Sequence, residues 1–177
     1  MASGATILKA ELNISDMDRH YYGAHSLTVA QHPSETEARL MLRLLAFAIH
    51  GHENLSFTKG ISTDDEPDLW QKTLSDEIEL WIDLGQPDEK RIRKACGRAK
   101  EVVLYNYSGH ADPWWKQNAD KLKRYTNLSI YKVGDEQLAS LSALASKNMQ
   151  LQFTIQDGEV WVSDDDNNIA VQLQQLK

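Results

Sequence analysis

Two acidic motifs carry the chemistry this sequence suggests most directly. The first is Glu66-Pro67-Asp68-Leu69-Trp70; the second is Glu79-Leu80-Trp81-Ile82-Asp83-Leu84-Gly85-Gln86, with the basic run Lys90-Arg91-Ile92-Arg93-Lys94 behind it. If Leu69 to Lys72 and Ile78 to Leu84 form a hairpin turning near Ser75-Asp76, paired positions sum to about 151 and Asp68 lies opposite Asp83. Carboxylates opposed on a sheet repel one another unless they share a proton or hold a cation. A divalent-metal site at the open end of the hairpin is the sharp reading. A plainer one stands beside it: Asp68 closes an acidic turn from Thr63, and Asp83 caps the helix that follows.

The elements that must position these groups follow from patterning. Thr6 to Ile14 alternates in the manner of a strand, and Tyr21 to Gln31 makes a second strand after a polar turn. Ser34 and Glu37 have capping-box spacing before an apolar run, Leu40 to Ile49, which Gly51 stops. Leu55 to Ile61 is expected as a strand before the two motif strands. Beyond Gly85 helices and strands alternate. Pro87 suits a first helical position, with Ile92, Ala95, Cys96 and Ala99 as the inward stripe. Val102 to Tyr107 reads as a buried strand, Trp114 to Tyr125 as a helix, Leu128 to Val133 as a strand and Glu136 to Ser146 as a helix. Met149 to Ile155 pairs with Glu159 to Val162 across Asp157-Gly158, and Ile169 to Leu176 supplies an edge strand. The fold class expected is α/β, a mixed central sheet flanked by helices, in one domain over 1–177.

Composition bounds the function classes. The chain has 177 residues, 41% hydrophobic and 25% charged, enough for a core without staples. Its longest strongly apolar run is too short to cross a bilayer, its first ten residues lack the pattern of a signal peptide, and its single cysteine excludes an internal disulfide. A cytoplasmic protein without a membrane partner is expected. The net charge of -7 argues against a phosphate-rich partner, but its distribution does not. Asp88 to Arg124 holds ten Lys or Arg against five acids, so this segment carries +5 and the remainder -12. Such polarity permits a local phosphate-binding face, with a pair of solvated amphipathic helices as the plainer alternative.

The chain resembles the YaeQ proteins, whose fold is a variant of the PD-(D/E)XK nuclease fold. The motifs around Asp68 and around Asp83 anchor that resemblance, which runs through almost the whole sequence. It implies a helical glutamate, a strand aspartate and a second strand carboxylate that bind Mg²⁺ or Mn²⁺, and a lysine two positions further that activates water. The positions here are Glu37, Asp68 and Asp83, and the lysine position is Gly85. The substitute cation is expected from the next helix, where Lys90, Arg91 and Lys94 lie within one or two turns of the strand end, with Gln86 placed to orient a water; Lys90, Arg91 and Lys94 are also the residues expected to meet phosphate. The implied activity is metal-assisted phosphodiester hydrolysis on nucleic acid. The alternative is a module of the same fold without catalysis, binding nucleic acid or a protein of the transcription or repair machinery.

Other constellations carry less. Glu79 is expected to partner Lys72. His50-Gly51-His52 lacks a third metal ligand, Ser108, His110 and Asp112 are too close in sequence to face one another as a triad, and Asp164 to Asp166 lack the glycine and glutamate of a calcium loop.

Overall fold

A computed structural model describes residues 4–59 and 65–177. Thr63 and Asp64 of the acidic turn, and Ile61 at the end of an expected strand, lie outside the described residues. The chain divides into two compact units, each built on its own mixed sheet.

The first unit combines residues up to Gly51 with 136–172. Its sheet has the order β10-β9-β8-β1-β2, from β1 (Thr6–Asp16), β2 (Tyr21–Gln31), β8 (Asn148–Gln156), β9 (Glu159–Ser163) and β10 (Asn168–Val171). β1 pairs antiparallel with β2 and parallel with β8. Burial alternates along β1 and β8, the signature of a sheet with one face on a core and one face in water. Helix α1 (Glu37–Ile49) is buried without a break from Leu40 to Ala48. Arg19 serves its C-terminus, donating from Nη1 to Ile49 O at 2.9 Å and from Nη2 to Gly51 O at 2.8 Å. A cation there complements the free carbonyls of the last turn. His50 does not contribute charge, because burial pushes its imidazole down to about 3.

The second unit, His52–Asp135 with the last five residues, carries a sheet of order β11-β7-β6-β5-β4-β3. Its strands are β3 (Leu55–Phe57), β4 (Leu69–Lys72), β5 (Ile78–Leu84), β6 (Ala99–Asn106), β7 (Leu128–Val133) and β11 (Leu173–Gln175). β5, β6 and β7 run parallel, connected through α2 (Glu89–Arg98) and α3 (Ala111–Leu122). β5 is buried along nearly its whole length, as parallel strands covered by crossover helices are. Trp81, Ile92, Ala95, Val102, Leu104, Leu122, Leu128 and Ile130 form the core of this unit. A short helix, α4 (Asp135–Ser142), follows β7. No helix among the described residues is long and apolar enough to cross a membrane.

The mixed α/β class is as expected, but two sheets replace the single central one. The reason is non-local: β1 recruits β8 from more than a hundred residues away, and the tail splits so that β10 joins β9 while β11 joins β7. The first helix also differs. Thr36 is its N-cap, accepting from the Arg39 N–H at 3.1 Å, so the Ser34–Glu37 capping box does not form and Glu37 is the exposed first residue. Likewise α2 is capped by Asp88, whose carboxylate accepts the Arg91 N–H at 2.8 Å, and Asp83 has another role.

Candidate functional site

Both motif aspartates are buried, Asp68 at 5% exposure and Asp83 at 3%, and the hairpin has the expected register. Leu69 stands opposite Ile82 and Trp70 opposite Trp81, so each aspartate lies one residue beyond the Leu69–Ile82 pair. Their surroundings differ. Asp68 extends the sheet: its N–H donates to Ile82 O at 3.0 Å, its C=O accepts from the Thr58 N–H at 3.2 Å, and its Oδ2 accepts the Leu84 N–H at 2.8 Å. A side-chain oxygen here does the work of a strand carbonyl. That satisfies a buried donor which would otherwise cost about 1–3 kcal/mol.

Asp83 shares a strand face with Trp81, two residues back, and meets a cation. Arg91, in the first turn of α2, donates from Nε to Oδ2 at 2.9 Å and from Nη2 to Oδ1 at 3.1 Å. Trp81 Nε1 is the carboxylate's third donor, bonding Oδ2 at 3.1 Å. The two-pronged arginine contact fits the carboxylate's own plane, a geometry a point cation does not reproduce. Arg91 Nη2 also donates to Glu66 O at 2.9 Å, which ties the chain segment before Asp68 to α2. Its guanidinium and that of Arg98 both lie over the Trp81 ring, 5.8 and 5.2 Å from the centroid.

Two further cations of the same helix reach the acidic segment while remaining exposed. Lys94 pairs with Asp65 at 2.7 Å and Arg98 donates to Asp65 O at 2.7 Å. The hydrogen bond and charge of Lys94 hold the Asp65 carboxyl below its usual range. Lys90 points outward and is exposed. Gln86 is engaged in structure, its Oε1 accepting the Tyr107 N–H at 2.9 Å. Glu37 belongs to the first unit and is exposed, because the helix is capped at Thr36 and its first turn leaves the carboxylate outward.

The backbone at Gly85, where the resemblance leads one to expect lysine, accounts for the glycine. Its φ is +102°, a backbone conformation that side chains with a Cβ rarely adopt, and its N–H and C=O are both held, by Tyr105 O and by Asn106 Nδ2, each at 2.8 Å. The strand turns into the α2 loop at this point, so lysine there is incompatible with the local backbone.

The donor set does not fit a divalent cation in the arrangement described. Both oxygens of Asp83 carry nitrogen donors, and among the described residues no three of His, Cys, Asp or Glu come together as a metal-holding group. Three expectations about other residues are resolved. Glu79 pairs with Lys100 at 2.9 Å, not with Lys72, because β5 runs parallel to β6 and Lys72 reaches Asp76 instead. Cys96 packs against the core cluster, and burial pushes its thiol up to about 11. Asp164 accepts the N–H groups of Asp166 and Asn167, an ordinary solvated turn.

Sequence reasoning missed two buried carboxylates, Asp16 at 1% exposure beside Arg19, and Glu35. Glu35, 8% exposed, precedes the Thr36 cap and takes Arg43 through two bonds of 2.7 and 2.9 Å and Arg39 through one of 2.9 Å. Arginines four and eight residues beyond a glutamate, on one helix face, are the signal that points to it.

The YaeQ protein family matches residues 1–173. YaeQ of Escherichia coli (strain K12) is 51% identical over 174 residues, covering 98% of this chain and 96% of that one, and YaeQ of Salmonella typhi is 48% identical over the same span. The crystal structure of YaeQ from Xanthomonas axonopodis pv. citri superposes with a TM-score of 0.94 at 48% identity, covering 98% of both chains. That of YaeQ from Pseudomonas syringae gives 0.94 at 37% identity, covering 98% of this chain and 96% of the other. With the match running through both sheets and the Asp68–Asp83 hairpin, this chain belongs to the YaeQ family.

Proposed function

We propose that this chain is a non-hydrolytic nucleic-acid-binding module on a variant of the PD-(D/E)XK nuclease fold. The observation that carries the loss of hydrolysis is the Arg91–Asp83 pair: a guanidinium occupies both oxygens of the carboxylate that a nuclease would present to a metal ion. The left-handed Gly85 in the lysine position supports the same reading. Nucleic acid as partner is supported by the second unit's surface cations. Lys90 and Arg93 on α2, with Lys116 and Lys121 on α3, are exposed and make no ion pair among the described residues. Exposed, unpaired cations on neighbouring helices suit phosphate and contribute little to stability.

The test is fluorescence anisotropy with labelled single- and double-stranded DNA and RNA over a salt series. Wild-type protein is expected to bind at low salt, and the Lys90→Ala, Arg93→Ala double variant to bind more weakly. Its log–log salt slope should be shallower by about 2, one phosphate contact per cation removed. Absence of binding at low salt removes nucleic acid as the partner, and an unchanged slope removes Lys90 and Arg93 as its phosphate contacts.

A second reading has its own observation. Asp68 and Asp83 are both buried just beyond one strand pair, the placement expected of a metal-dependent phosphodiesterase using Mg²⁺ or Mn²⁺. It requires Arg91 to release Asp83.

A further inference from the structure

Among the described residues the two sheets have four edges, and three of them are short: β10 with four residues, and β3 and β11 with three each. The fourth, β2, has eleven. Proteins blunt exposed edges with charge, proline, a bulge or brevity, because a row of free N–H and C=O groups is a template for another strand. β2 has none of these devices. Tyr21 to Gln31 contains no Lys, Arg, Asp, Glu or Pro, and its register with β1 runs unbroken from Thr6↔Gln31 to Asp16↔Tyr21.

The parity of the strand shows which groups face outward. Lys9 N–H donates to Lys147 O and Met17 N–H to Ile155 O, both at 2.8 Å, so odd-numbered backbone groups of β1 turn toward the β8 side. Each odd residue of β1 stands opposite an even residue of β2, as Lys9 does with Thr28. Alternation along an antiparallel ladder therefore directs the N–H and C=O of Tyr22, Ala24, Ser26, Thr28 and Ala30 away from β1. Arg43 confirms this parity, its Nη2 donating to Ala30 O at 2.9 Å. Among the described residues no backbone group reaches the edge-facing atoms of Tyr22, Ala24, Ser26 or Thr28, and the side chains of these four are exposed.

The geometry points to β2 as the pairing surface for a second copy of this chain, strand against antiparallel strand about a two-fold axis. Arg43 closes the register at Ala30, leaving positions 22 to 28. Centring the axis there sets Tyr22 opposite Thr28 of the second copy and Ala24 opposite its Ser26. Four residue pairs then exchange about eight main-chain hydrogen bonds. Tyr22 against a β-branched threonine is a favourable cross-strand pair, and the small side chains between them allow close approach. The inward face gains as well: His25 and Leu27 are only half-buried in the single chain. An uncharged strand meets its own copy without local repulsion, and the contact closes on itself as isologous dimers do. A second β2 is also already ordered, whereas a free peptide must lose its chain entropy on docking.

Sedimentation velocity on the full chain across roughly 1 to 100 µM reads the result, since strand-edge pairing without a large apolar core is concentration-dependent. A mass of about 40 kDa, twice the 20.1 kDa chain, is expected at the upper end. Thr28→Pro deletes an N–H that does not bond to β1, so a folded variant is expected to stay at the single-chain mass. Amide hydrogen exchange of the wild type gives a readout that does not depend on that variant folding. The amides of Tyr22, Ala24, Ser26 and Thr28 should be slow when concentrated and fast when dilute, while those of Gly23, His25, Leu27 and Val29 stay slow throughout. A single-chain mass over the whole range leaves the edge to some other extended partner and overturns the pairing of copies. So does a dimer that survives in folded Thr28→Pro, or slow exchange at the even positions in the dilute single chain.

Discussion

Arg91→Ala is expected to lower the stability of the fold by about 3 kcal/mol, read as a fall in the urea midpoint. Asp83 is 3% exposed, and two of its three donors come from Arg91. Removing one partner of a buried pair strands the other charge, which typically costs about 3–5 kcal/mol. The lower end applies because the Arg91 side chain retains 25% exposure and water can enter beside it. The same variant loses the tie to Glu66 O, so the segment before Asp68 should become accessible to protease. Asp83→Asn should cost less, since an amide oxygen still accepts from Trp81 Nε1 and the charge left behind is that of Arg91, which keeps access to water. Equal losses in the two variants would show that Arg91 acts through packing on Trp81 and not through the carboxylate.

The second large effect belongs to the first unit. Glu35→Ala leaves Arg43, itself 8% exposed, without its carboxylate and with Ala30 O as its remaining named acceptor. A loss of about 3 kcal/mol is expected, and for a chain of this length that is a fall of roughly 6–12 °C in Tm by calorimetry. Glu35→Gln keeps an acceptor for Arg43 and should recover part of the loss. A Tm within about 1 °C of wild type for Glu35→Ala would show that the network is dispensable.

These two pairs show where sequence reading stops. The strands at 21–31, 69–72, 78–84 and 128–133 are legible to the residue because alternation and turn residues are local signals. The Asp68–Asp83 register follows from the same hairpin logic. What is not local does not show. The parallel β1–β8 pairing leaves no mark on either strand, so two sheets read as one. Between Ser34–Glu37 and Thr36–Arg39 the first fits a known cap spacing better, yet the chain uses Thr36 because Glu35 is drawn inward by Arg43. For Asp83 the deciding partner was in plain view eight residues on. An arginine in a basic run fits phosphate as well as carboxylate, and only the distance of α2 from the strand end separates the two. Gly85 is visible as a departure from the nuclease pattern, but its cause, a positive φ, is a property of the backbone.

Titration of wild-type protein with Mn²⁺, followed calorimetrically beside Asp83→Asn and with a nuclease assay on the same samples, tests the account of the carboxylate pair most directly. With Arg91 holding Asp83, the heats of the two proteins should coincide and no nucleic acid should be cut. Mn²⁺ binding in the wild type that disappears in Asp83→Asn, accompanied by cleavage, would contradict it and establish the carboxylate pair as a metal site.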